Sequence, residues 1–432
     1  MKNARQVALD ALNKINFKGG YSNIVVDNMI NTSSLDSHDS AFATMLVYGV
    51  LERLITLDHI ISKYSNIPLS KIELSVLQIL RLGIYQIICM DSVPDRAAVS
   101  ESVELSKYVK KSKASGFINA VLRNCIRHKN TLLDFSKVKN PVQRLSLTYS
   151  CPLWLTKMWI NDYGEDRTEC FLKSSLGQAP TFARVNTLKT TVKELIESLS
   201  NEGIKACEHK FENCIILKNP SAAIKSDAFK EGMFHIQDLA SQICVKYADI
   251  KPFSTVIDVC SAPGGKAFTA AEYMNDSGNL LAFDLHEKRV KLIREGAIRL
   301  GISCIEANVG DATVFNKKIP LADTVLCDVV CSGLGVIRRK PETKYKNPQD
   351  IKRLPEIQLK ILQNVSKYVK IGGNIIYSTC TVNRQENEGV VEAFLKENAN
   401  FTYADDEEKC ITLFGNDNNS DCFFMCKCKR LR

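Results

Sequence analysis

Cysteines follow two apolar stretches that are typical of buried strands. Cys380 ends residues 374–380, where an apolar run gives way to Ser-Thr-Cys. Cys331 lies three residues after Asp328, just past the apolar residues 324–327. Ligands of open α/β sheets bind outside the carboxyl ends of the strands. If both stretches belong to one parallel sheet, Asp328, Cys331 and Cys380 are brought together over one pocket.

A thiol at such a position can act as a nucleophile if its pKa is lowered. The basic residues Arg338, Arg339 and Lys340 follow Cys331 closely. The other fourteen of the sixteen cysteines are expected to be small buried apolar side chains. With only six histidines and no recognisable Cys–His arrangement, the sequence disfavours a cysteine hydrolase.

A second chemical feature is the stretch Cys260-Ser261-Ala262-Pro263-Gly264-Gly265-Lys266. It follows a predicted strand at residues 255–259 and opens a predicted helix at 265–274. Glycines at a helix start let the backbone approach a ligand, and the free amides there favour negative charge. The stretch lacks the GxGxxG spacing and the Walker pattern, which disfavours hydride transfer and nucleotide hydrolysis.

Aspartates end or follow three successive predicted strands, and these are Asp284, Asp311 and Asp328. A carboxylate after the second strand suits a ribose diol, and one after the third can accept a hydrogen bond from an adenine amino group. Taken singly, each aspartate is more simply a helix cap or a turn residue. Taken in series around one crevice, they indicate a cofactor that contains adenosine.

The composition sets limits on the whole protein. A chain of 432 residues predicts several domains, and 57 basic against 48 acidic residues mildly favour a polyanionic partner. The start of the chain lacks a signal peptide and no apolar run is long enough to span a membrane, so we expect a cytoplasmic protein with reduced thiols. The spacing of Cys426 and Cys428 suits strand alternation better than a zinc site, so no metal is predicted.

The amino-terminal part, residues 1–130, has the periodicity of a helical bundle. Residues 41–57 continue this helical pattern, and the strongly apolar residues 72–90 predict a central, nearly buried helix. Basic residues gather near the end of the region: Lys107, Lys110, Lys111, Lys113, Arg123, Arg127 and Lys129. They form either a solvated helical face or a surface that contacts RNA.

The rest of the chain divides into three parts. Residues 131–164 predict a helical linker, and residues 165–238 a small α+β module with strands at 182–186 and 214–217 around a helix at 191–200. In residues 239–432, strands and helices alternate regularly, which predicts a doubly wound parallel sheet with helices on both faces. A helix is expected at 349–369, and residues 421–428 resemble a closing edge strand.

The last part resembles a known family. Ala-Pro-Gly-Gly-Lys at 262–266, Asp-x-x-Cys-Ser-Gly at 328–333, Gly-Val-Ile-Arg-Arg-x-Pro at 335–341 and Tyr-Ser-Thr-Cys at 377–380 occur in this order. Together they are similar to the motifs of the NOL/NOP/Sun family of S-adenosylmethionine-dependent RNA cytosine-5 methyltransferases. Residues 41–50, 80–86 and 117–123 resemble the NusB-type RNA-binding helical domain. The whole chain thus resembles the bacterial 16S ribosomal RNA enzymes of that family.

The resemblance implies a multidomain protein: an all-α NusB-like bundle, an RRM-like α+β module and an α/β Rossmann-like class I methyltransferase domain. It implies that Cys260–Lys266 line the methionine and ribose end of the cofactor, S-adenosylmethionine. Asp284 would hold the ribose hydroxyls, Asp311 the adenine, and Asp328 the cofactor's amino group or the target base. Cys380 would be the nucleophile and Cys331 would assist its release.

One departure from the family pattern concerns the turn between Asp328 and Cys331. The family usually has Asp-Ala-Pro-Cys, whereas this chain has Val329-Val330. Because proline fixes φ and lacks an amide hydrogen, its loss removes a constraint on the turn. The departure keeps open a non-catalytic RNA-binding assembly factor, and the motifs shared across the family keep open a transfer RNA methyltransferase, besides a monomeric 16S ribosomal RNA enzyme.

Overall fold

The computed structural model describes residues 2–18, 22–405 and 407–432. The chain forms two compact units. The first comprises Met1–Gly177 and the segment Ile337–Tyr345, and the second comprises Gln178–Val336 and Lys346–Arg432. A short segment from the carboxyl-terminal half of the sequence therefore belongs to the amino-terminal unit.

The first unit is helical, as the sequence predicts. Its α-helices among the described residues are α1 (Ala4–Lys18), α2 (Ser22–Asn31), α3 (Ser37–Glu52), α4 (Leu54–Tyr64), α5 (Leu74–Cys89), α6 (Asp95–Tyr108), α7 (Ser115–Arg127), α8 (Pro141–Tyr149), α9 (Leu153–Tyr163) and α10 (Glu165–Ser174). Helix α5 is almost entirely buried, which confirms the expected central helix. At Gly83 a Cβ atom would lie 2.7 Å from Ser102 Oγ and 2.8 Å from Leu122 Cδ1, so glycine allows α6 and α7 to pack closely on α5.

The helical pattern of residues 41–57 is divided between two helices, because the chain breaks at Arg53 between α3 and α4. Arg53 has φ −104° and ψ 13°, outside helical geometry. The Oγ of Ser150 accepts a hydrogen bond from the amide of Ile55 at 2.8 Å, which satisfies a free donor at the start of α4. Since this cap comes from a residue 95 positions away, the local pattern could not indicate the break.

The segment Ile337–Tyr345 caps the end of α3 inside the first unit. Lys344 Nζ donates to the carbonyl of Glu52 at 2.7 Å, and the Tyr345 hydroxyl donates to the carbonyl of Leu51 at 2.9 Å. These carbonyls lack partners within their own helix, and a cation is favoured at a helix carboxyl end. Burial lowers the pKa of Lys344 to about 8.

The second unit begins at Gln178 with an α+β module. Its elements are β1 (Thr181–Val185), α11 (Val192–Asn201), β2 (Ala206–Glu208), β3 (Cys214–Leu217), α12 (Pro220–Ala223), α13 (Asp227–Lys230) and β4 (Phe234–Ile236). The strands form an antiparallel sheet of order β2-β3-β1-β4. Helix α11 begins with a capping box between Thr191 and Glu194, which fixes its start where the sequence predicts a helix.

A larger sheet with its flanking helices follows. Its elements are α14 (Leu239–Ala248), β5 (Thr255–Asp258), α15 (Gly265–Tyr273), β6 (Asn279–Asp284), α16 (Glu287–Leu300), β7 (Ile305–Val309), β8 (Ala322–Asp328), α17 (Pro348–Ile351), α18 (Leu354–Val365), β9 (Val369–Thr379), α19 (Glu388–Glu397), β10 (Phe401–Tyr403), β11 (Cys410–Leu413), α20 (Gly415–Asn418) and β12 (Phe423–Arg430). The order is β10-β12-β9-β8-β5-β6-β7, and β11 also pairs with β12. Strands β5 to β9 are parallel, and β12 is antiparallel to its neighbours.

Alternate residues of the central strands enter two cores on opposite faces of this sheet. Val256 and Leu326 pack with α14, α15 and α16, whereas Ile257 and Val325 pack with α18 and α19. Strands buried on both faces are typical of parallel sheets that are covered by helices. The predicted doubly wound arrangement is therefore confirmed, with an added antiparallel part.

Two predictions in this domain are corrected. Residues 421–428 are not an edge strand, because β12 lies between β9 and the short strands β10 and β11, which the sequence pattern did not reveal. The single helix at 349–369 is instead divided into α17 and α18, and Val369 already begins β9. Pro355 lies in the first turn of α18, where its missing amide hydrogen is tolerated, and it cannot continue a helix from α17.

A buried ion pair joins the α+β module to the domain of the larger sheet within the second unit. Arg184 Nε in β1 donates to Glu272 Oε2 in α15 at 2.8 Å, and both side chains are 1% exposed. Arg184 also donates to the carbonyl of Glu212 at 3.1 Å. Removal of one partner from a buried pair leaves an uncompensated charge in a medium of low polarity.

The replacement Arg184→Met is therefore expected to lower the free energy of unfolding by about 3–5 kcal/mol in urea denaturation. The matched control is Lys246→Met, because Lys246 pairs with Glu212 at 3.0 Å on the surface, with side chains 52% and 43% exposed. That variant should change stability by less than about 1 kcal/mol. Equal effects of the two replacements would contradict a structural role for the buried pair.

Within the described residues no single helix is long and apolar enough to cross a membrane, whereas the bent pair α3 and α4, with a 76° angle, meets the length and composition requirement when taken together. The same part of the chain contains no group of three or more His, Cys, Asp or Glu side chains arranged to hold a metal ion.

Candidate active site

The two cysteines lie side by side at the carboxyl ends of neighbouring strands. Strands β8 and β9 are parallel, and Asp328 is in register with Ser378. The loops that follow these strands place Cys331 Sγ 3.0 Å from Cys380 Sγ, and both side chains are partly buried. The structure thus brings together the three residues that the sequence places over one pocket.

Cys331 is held as a neutral thiol. Its hydrogen bond with Cys380, together with burial, raises the pKa of Cys331 well above its usual range. An S–H group on Cys331 can therefore donate to the sulfur of Cys380. Either sulfur can be the donor in this contact, and the raised pKa of Cys331 keeps its own proton in place.

Asp328 is fixed by two side chains from other elements. Lys266 Nζ lies 2.6 Å from Asp328 Oδ2, and Ser378 Oγ donates to Asp328 Oδ1 at 2.9 Å. The sequence indicated Lys266 as part of a cofactor loop but gave no sign of this ion pair. The pair holds the carboxylate at the strand end beside the two thiols.

The predicted cofactor loop lies between β5 and α15. Gly264, just before α15, has φ +110°, and a Cβ atom there would lie 2.3 Å from the ring of Phe268. Only glycine fits this backbone without strain. The loop is fixed further by hydrogen bonds from Ser261 N to the Phe283 carbonyl at 2.8 Å and from Gly264 N to the Ser261 carbonyl at 2.8 Å.

Cys260, the thiol at the start of this loop, differs from the pair Cys331 and Cys380. Burial raises the pKa of Cys260 to about 12. This cysteine therefore stays protonated at neutral pH. It can line a binding site but is unsuited to nucleophilic attack.

Asp284 ends β6 and faces the same loop. Its side chain is 3% exposed, and Oδ2 accepts from the amide of Ala262 at 3.3 Å. Arg289 Nη1 lies 3.2 Å from the same oxygen. A buried carboxylate at this position is suited to accept hydrogen bonds from neighbouring hydroxyl groups.

Asp311 follows β7 and has the contacts of a turn residue. Its Oδ1 accepts from the amide and the hydroxyl of Thr313 at 2.8 and 2.7 Å, and these hydrogen bonds lower the pKa of Asp311. The aspartate also lines a cavity of about 430 Å³ beside β5, β6 and β7. Most of the other lining side chains are apolar, among them Ile257, Phe283 and Val314.

A buried polar network behind Cys331 was not predicted. Glu386 Oε2 accepts from the Ser332 amide at 2.8 Å and from Gln358 Nε2 at 3.0 Å. Gln358 also donates to the carbonyl of Val330 at 2.9 Å. Val330 and Ser332, on either side of Cys331, are thereby fixed by Gln358 and by the carboxylate of Glu386, which lies in the loop after Cys380. The only sequence signal was the polar run at 383–388, which reads equally well as a helix start.

Asp258 is a second acidic residue that the sequence reading did not single out. It ends β5 and is 1% exposed. Burial raises the pKa of Asp258 to about 7. The sequence signal for this residue was its place as an acidic side chain at the end of an otherwise apolar strand.

Family models match three parts of this chain. The model of the 16S rRNA methyltransferase RsmB/F matches residues 247–429, and the NusB family model matches residues 2–127. The ferredoxin-like domain of RsmF/B-like methyltransferases matches residues 151–224.

Curated relatives extend the similarity over most of the chain. A probable ribosomal RNA small subunit methyltransferase B of Bacillus subtilis (strain 168) is 38% identical over 403 residues, which is 92% of this chain and 89% of the relative. A protein of the same description from Synechocystis is 34% identical over 406 residues, covering 92% of this chain and 90% of the relative.

Solved structures show the same fold. The crystal structure of PH0851 has a TM-score of 0.80 at 22% identity and covers 100% of this chain and 99% of that one. The structure of NSun6 from Pyrococcus horikoshii with SFG has a TM-score of 0.57 at 19% identity, over 64% of this chain and 97% of that chain.

Proposed function

Since the chain belongs to the RsmB/F family of 16S ribosomal RNA methyltransferases, we propose that it methylates carbon 5 of one cytosine in 16S ribosomal RNA. The observation that carries the proposal is the pair Cys331 and Cys380, whose sulfur atoms are 3.0 Å apart beside Asp328. A single thiol is sufficient for nucleophilic attack, whereas a reaction that must also release the nucleophile gives the second thiol a role.

Cytosine carbon 5 is a weak nucleophile and needs activation. In the proposed reaction the Cys380 sulfur adds to carbon 6, and the electrons of the carbon 5–carbon 6 double bond become available at carbon 5. A proton held between the Asp328 carboxyl group and the ring nitrogen neutralises the negative charge that develops there, and Asp328 is left as a carboxylate beside Lys266. S-adenosylmethionine, when bound, supplies an electrophilic methyl group on its sulfonium.

Completion of the reaction requires a second set of bond changes. Carbon 5 loses its proton to a base, the double bond is restored, and the bond between Cys380 and carbon 6 breaks. The neutral thiol of Cys331 is placed to protonate the departing sulfur of Cys380 across their 3.0 Å contact. This step regenerates Cys380, and the base that took the carbon 5 proton returns a proton to Cys331, so both thiols are restored for the next cycle.

The residues around the loop fit the proposed cofactor. The first amides of α15 have no partners within the helix, and a helix start favours a negatively charged group. In the proposal, residues 260–266 hold the methionine and ribose end, Asp284 accepts from the ribose hydroxyls, and Asp311 faces the adenine. The apolar lining of the cavity beside Asp311 suits a purine ring.

The proposed partner is RNA with an unpaired or flipped cytosine, because a stacked base would hide carbon 6 from the thiol. In the basic cluster of the first unit, Lys107, Lys111 and Lys129 pair with carboxylates. The cluster's other four cations, Lys110, Lys113, Arg123 and Arg127, have no carboxylate partner among the described residues, and they are the ones proposed to contact phosphates.

All sixteen cysteines are free, which suits the reducing cytoplasm we propose for this enzyme.

Two alternatives differ from the proposal in substrate or in activity. A transfer RNA methyltransferase would use the same thiol chemistry. A non-catalytic assembly factor is favoured by the missing proline in the turn before Cys331. However, the hydrogen bonds from Gln358 and to Glu386 fix Val330 and Ser332, so this turn is held without proline.

The test is methyl transfer from radiolabelled S-adenosylmethionine to unmodified 16S ribosomal RNA, small subunits and transfer RNA, followed by digestion to nucleosides. We expect label in 5-methylcytidine from 16S ribosomal RNA. Label in transfer RNA alone would identify transfer RNA, rather than 16S ribosomal RNA, as the substrate. The absence of label from all three substrates would leave the assembly factor as the better account.

A prediction for Asp328 separates a role at the base from a role at the cofactor. The replacement Asp328→Asn keeps a similar shape but removes the charge that faces Lys266. We expect kcat to fall about 10²- to 10³-fold, the range for loss of a positioned acid or base. The dissociation constant of S-adenosylhomocysteine, measured by calorimetry, should change less than about threefold.

The control for this variant is Asp323→Asn at the opposite end of β8, where Asp323 pairs with Lys370 at 2.9 Å. Its kcat should equal that of the parent protein. If Asp328→Asn instead weakens S-adenosylhomocysteine binding strongly and leaves kcat unchanged, Asp328 serves the cofactor rather than the base.

A further inference from the structure

Two buried hydroxyl groups join the loops that carry the cysteines. Ser332 follows Cys331 directly, and Thr381 follows Cys380 directly. Ser332 Oγ and Thr381 Oγ1 are 2.8 Å apart in a hydrogen bond, and both residues are fully buried. The residue after one thiol is therefore bonded to the residue after the other.

The main chain on each side of this bond is held as well. The Ser332 amide donates to Glu386 Oε2 at 2.8 Å, and the Ser332 carbonyl accepts from Lys346 Nζ at 2.7 Å. The Thr381 carbonyl accepts from Asn387 Nδ2 at 3.0 Å. Because both ends are fixed, the bond between the two hydroxyls sets the distance between the loops.

The thiols themselves are poorly suited to set this distance. An S–H group is a weak donor and a thiol sulfur is a weak acceptor. Their contact also changes during the proposed reaction, since a Cys380 sulfur bonded to carbon 6 carries no proton. The hydroxyl bond does not depend on the state of either sulfur. The same holds for the Gly335 amide, which donates to the Cys380 carbonyl at 2.9 Å.

We propose that Ser332 and Thr381 are positioning residues for the release step. This inference rests on the proposed function. In that step the base takes the carbon 5 proton, and the electrons of that bond restore the double bond. The electron pair of the carbon 6–sulfur bond leaves with Cys380, whose sulfur takes the proton of Cys331. The hydroxyl bond keeps Cys331 within reach of the departing sulfur. Attack on carbon 6 does not require it.

The first test is Thr381→Val, which replaces the hydroxyl by a methyl group in a side chain of similar shape. Turnover on 16S ribosomal RNA should fall about tenfold or more, the scale expected when a reacting group is slightly misplaced. A denaturing gel should show protein linked to RNA, whereas methyl transfer in a single turnover should keep the parent rate. Thr381→Ser keeps the hydroxyl and should restore turnover without a linked band.

Loss of stability is separated from loss of positioning by two further variants. Thr381→Val leaves the Ser332 hydroxyl without this partner, which is destabilising, whereas the double variant Ser332→Ala/Thr381→Val removes both groups and should recover most of the melting temperature. The double variant should still accumulate the linked complex. The matched control is Thr56→Val, which removes an equally buried hydroxyl that donates to the Leu147 carbonyl at 2.6 Å in the helical unit. It should give no linked band even if its melting temperature falls.

A last comparison uses the Cys331→Ala protein, in which the proton for release is already absent. Addition of Thr381→Val should slow its turnover no further, because the two changes remove the same step. A further loss would show that the hydroxyl acts elsewhere and would overturn the inference. Parent turnover by Ser332→Ala/Thr381→Val, or a linked band that follows the melting temperature across the variants, would overturn it too.

These outcomes are distinct from a failure of the proposed function. In each of them the Cys331→Ala protein still forms its covalent complex with RNA. If that complex is absent and the parent protein transfers no methyl group, the proposed function fails and the inference fails with it.

Discussion

Replacement of Cys380 by alanine is expected to reduce methyl transfer by at least about 10⁴-fold, the scale seen when a covalent nucleophile is removed. Without a thiol at carbon 6, carbon 5 of the cytosine has no activation and cannot attack a methyl group. Single-turnover transfer to 16S ribosomal RNA measures this loss directly. Calorimetry with S-adenosylhomocysteine should give the parent dissociation constant, because the effect lies in the chemical step.

The matched control is Cys207→Ala, which removes an exposed thiol from β2 in the smaller sheet of the second unit. Its rate should equal that of the parent protein. A Cys380→Ala variant that retains more than a few per cent of the parent rate would contradict covalent catalysis by this residue.

Replacement of Cys331 by alanine is expected to cause a covalent complex between the protein and RNA to accumulate. The Cys331 thiol lies 3.0 Å from the Cys380 sulfur, and its raised pKa keeps a proton available for the departing group. Its loss should slow release more than attack. A denaturing gel of the variant with S-adenosylmethionine and 16S ribosomal RNA should then show a protein band shifted by linked RNA, while turnover falls about 10²- to 10³-fold.

The double variant provides the control for this result. Addition of Cys380→Ala to Cys331→Ala should abolish the shifted band, because no sulfur remains to attack carbon 6. A band that persists in the double variant would assign the attack to another residue. Normal turnover by Cys331→Ala without a band would remove Cys331 from the release step.

The carboxyl-terminal domain could be predicted in its main features because its signals are local. The apolar run before Cys380 and the run before Asp328 are each complete within a few residues, and regular alternation with helices indicates a parallel sheet. The ends of these two runs lie side by side only if their strands are neighbours in the sheet. The structure supplies that order by placing β8 beside β9.

Features that depend on distant partners could not be predicted in the same way. The break at Arg53 depends on a cap from Ser150, and the buried lysine of the segment Ile337–Tyr345 depends on the end of α3. The interior position of β12 depends on two strands of three and four residues, which are too short for a reliable pattern.

The turn before Cys331 shows how distant contacts can replace a local constraint. Its valines lack the rigidity of proline, and Val330 is 56% exposed. Glu386 and Gln358 hold the carbonyl of Val330 and the amide of Ser332 from outside the turn. Sequence comparison of the turn alone suggests a weaker site, whereas the surrounding hydrogen bonds preserve the position of the thiol.

The most direct test of the account is to identify the atoms that are linked in the Cys331→Ala complex. The complex would be digested with nuclease and protease, and the peptide that carries a nucleotide would be sequenced by mass spectrometry. The account predicts a cytidine with an added methyl group bound to Cys380. A nucleotide on any other residue, or an adduct without a methyl group in the presence of S-adenosylmethionine, would contradict it.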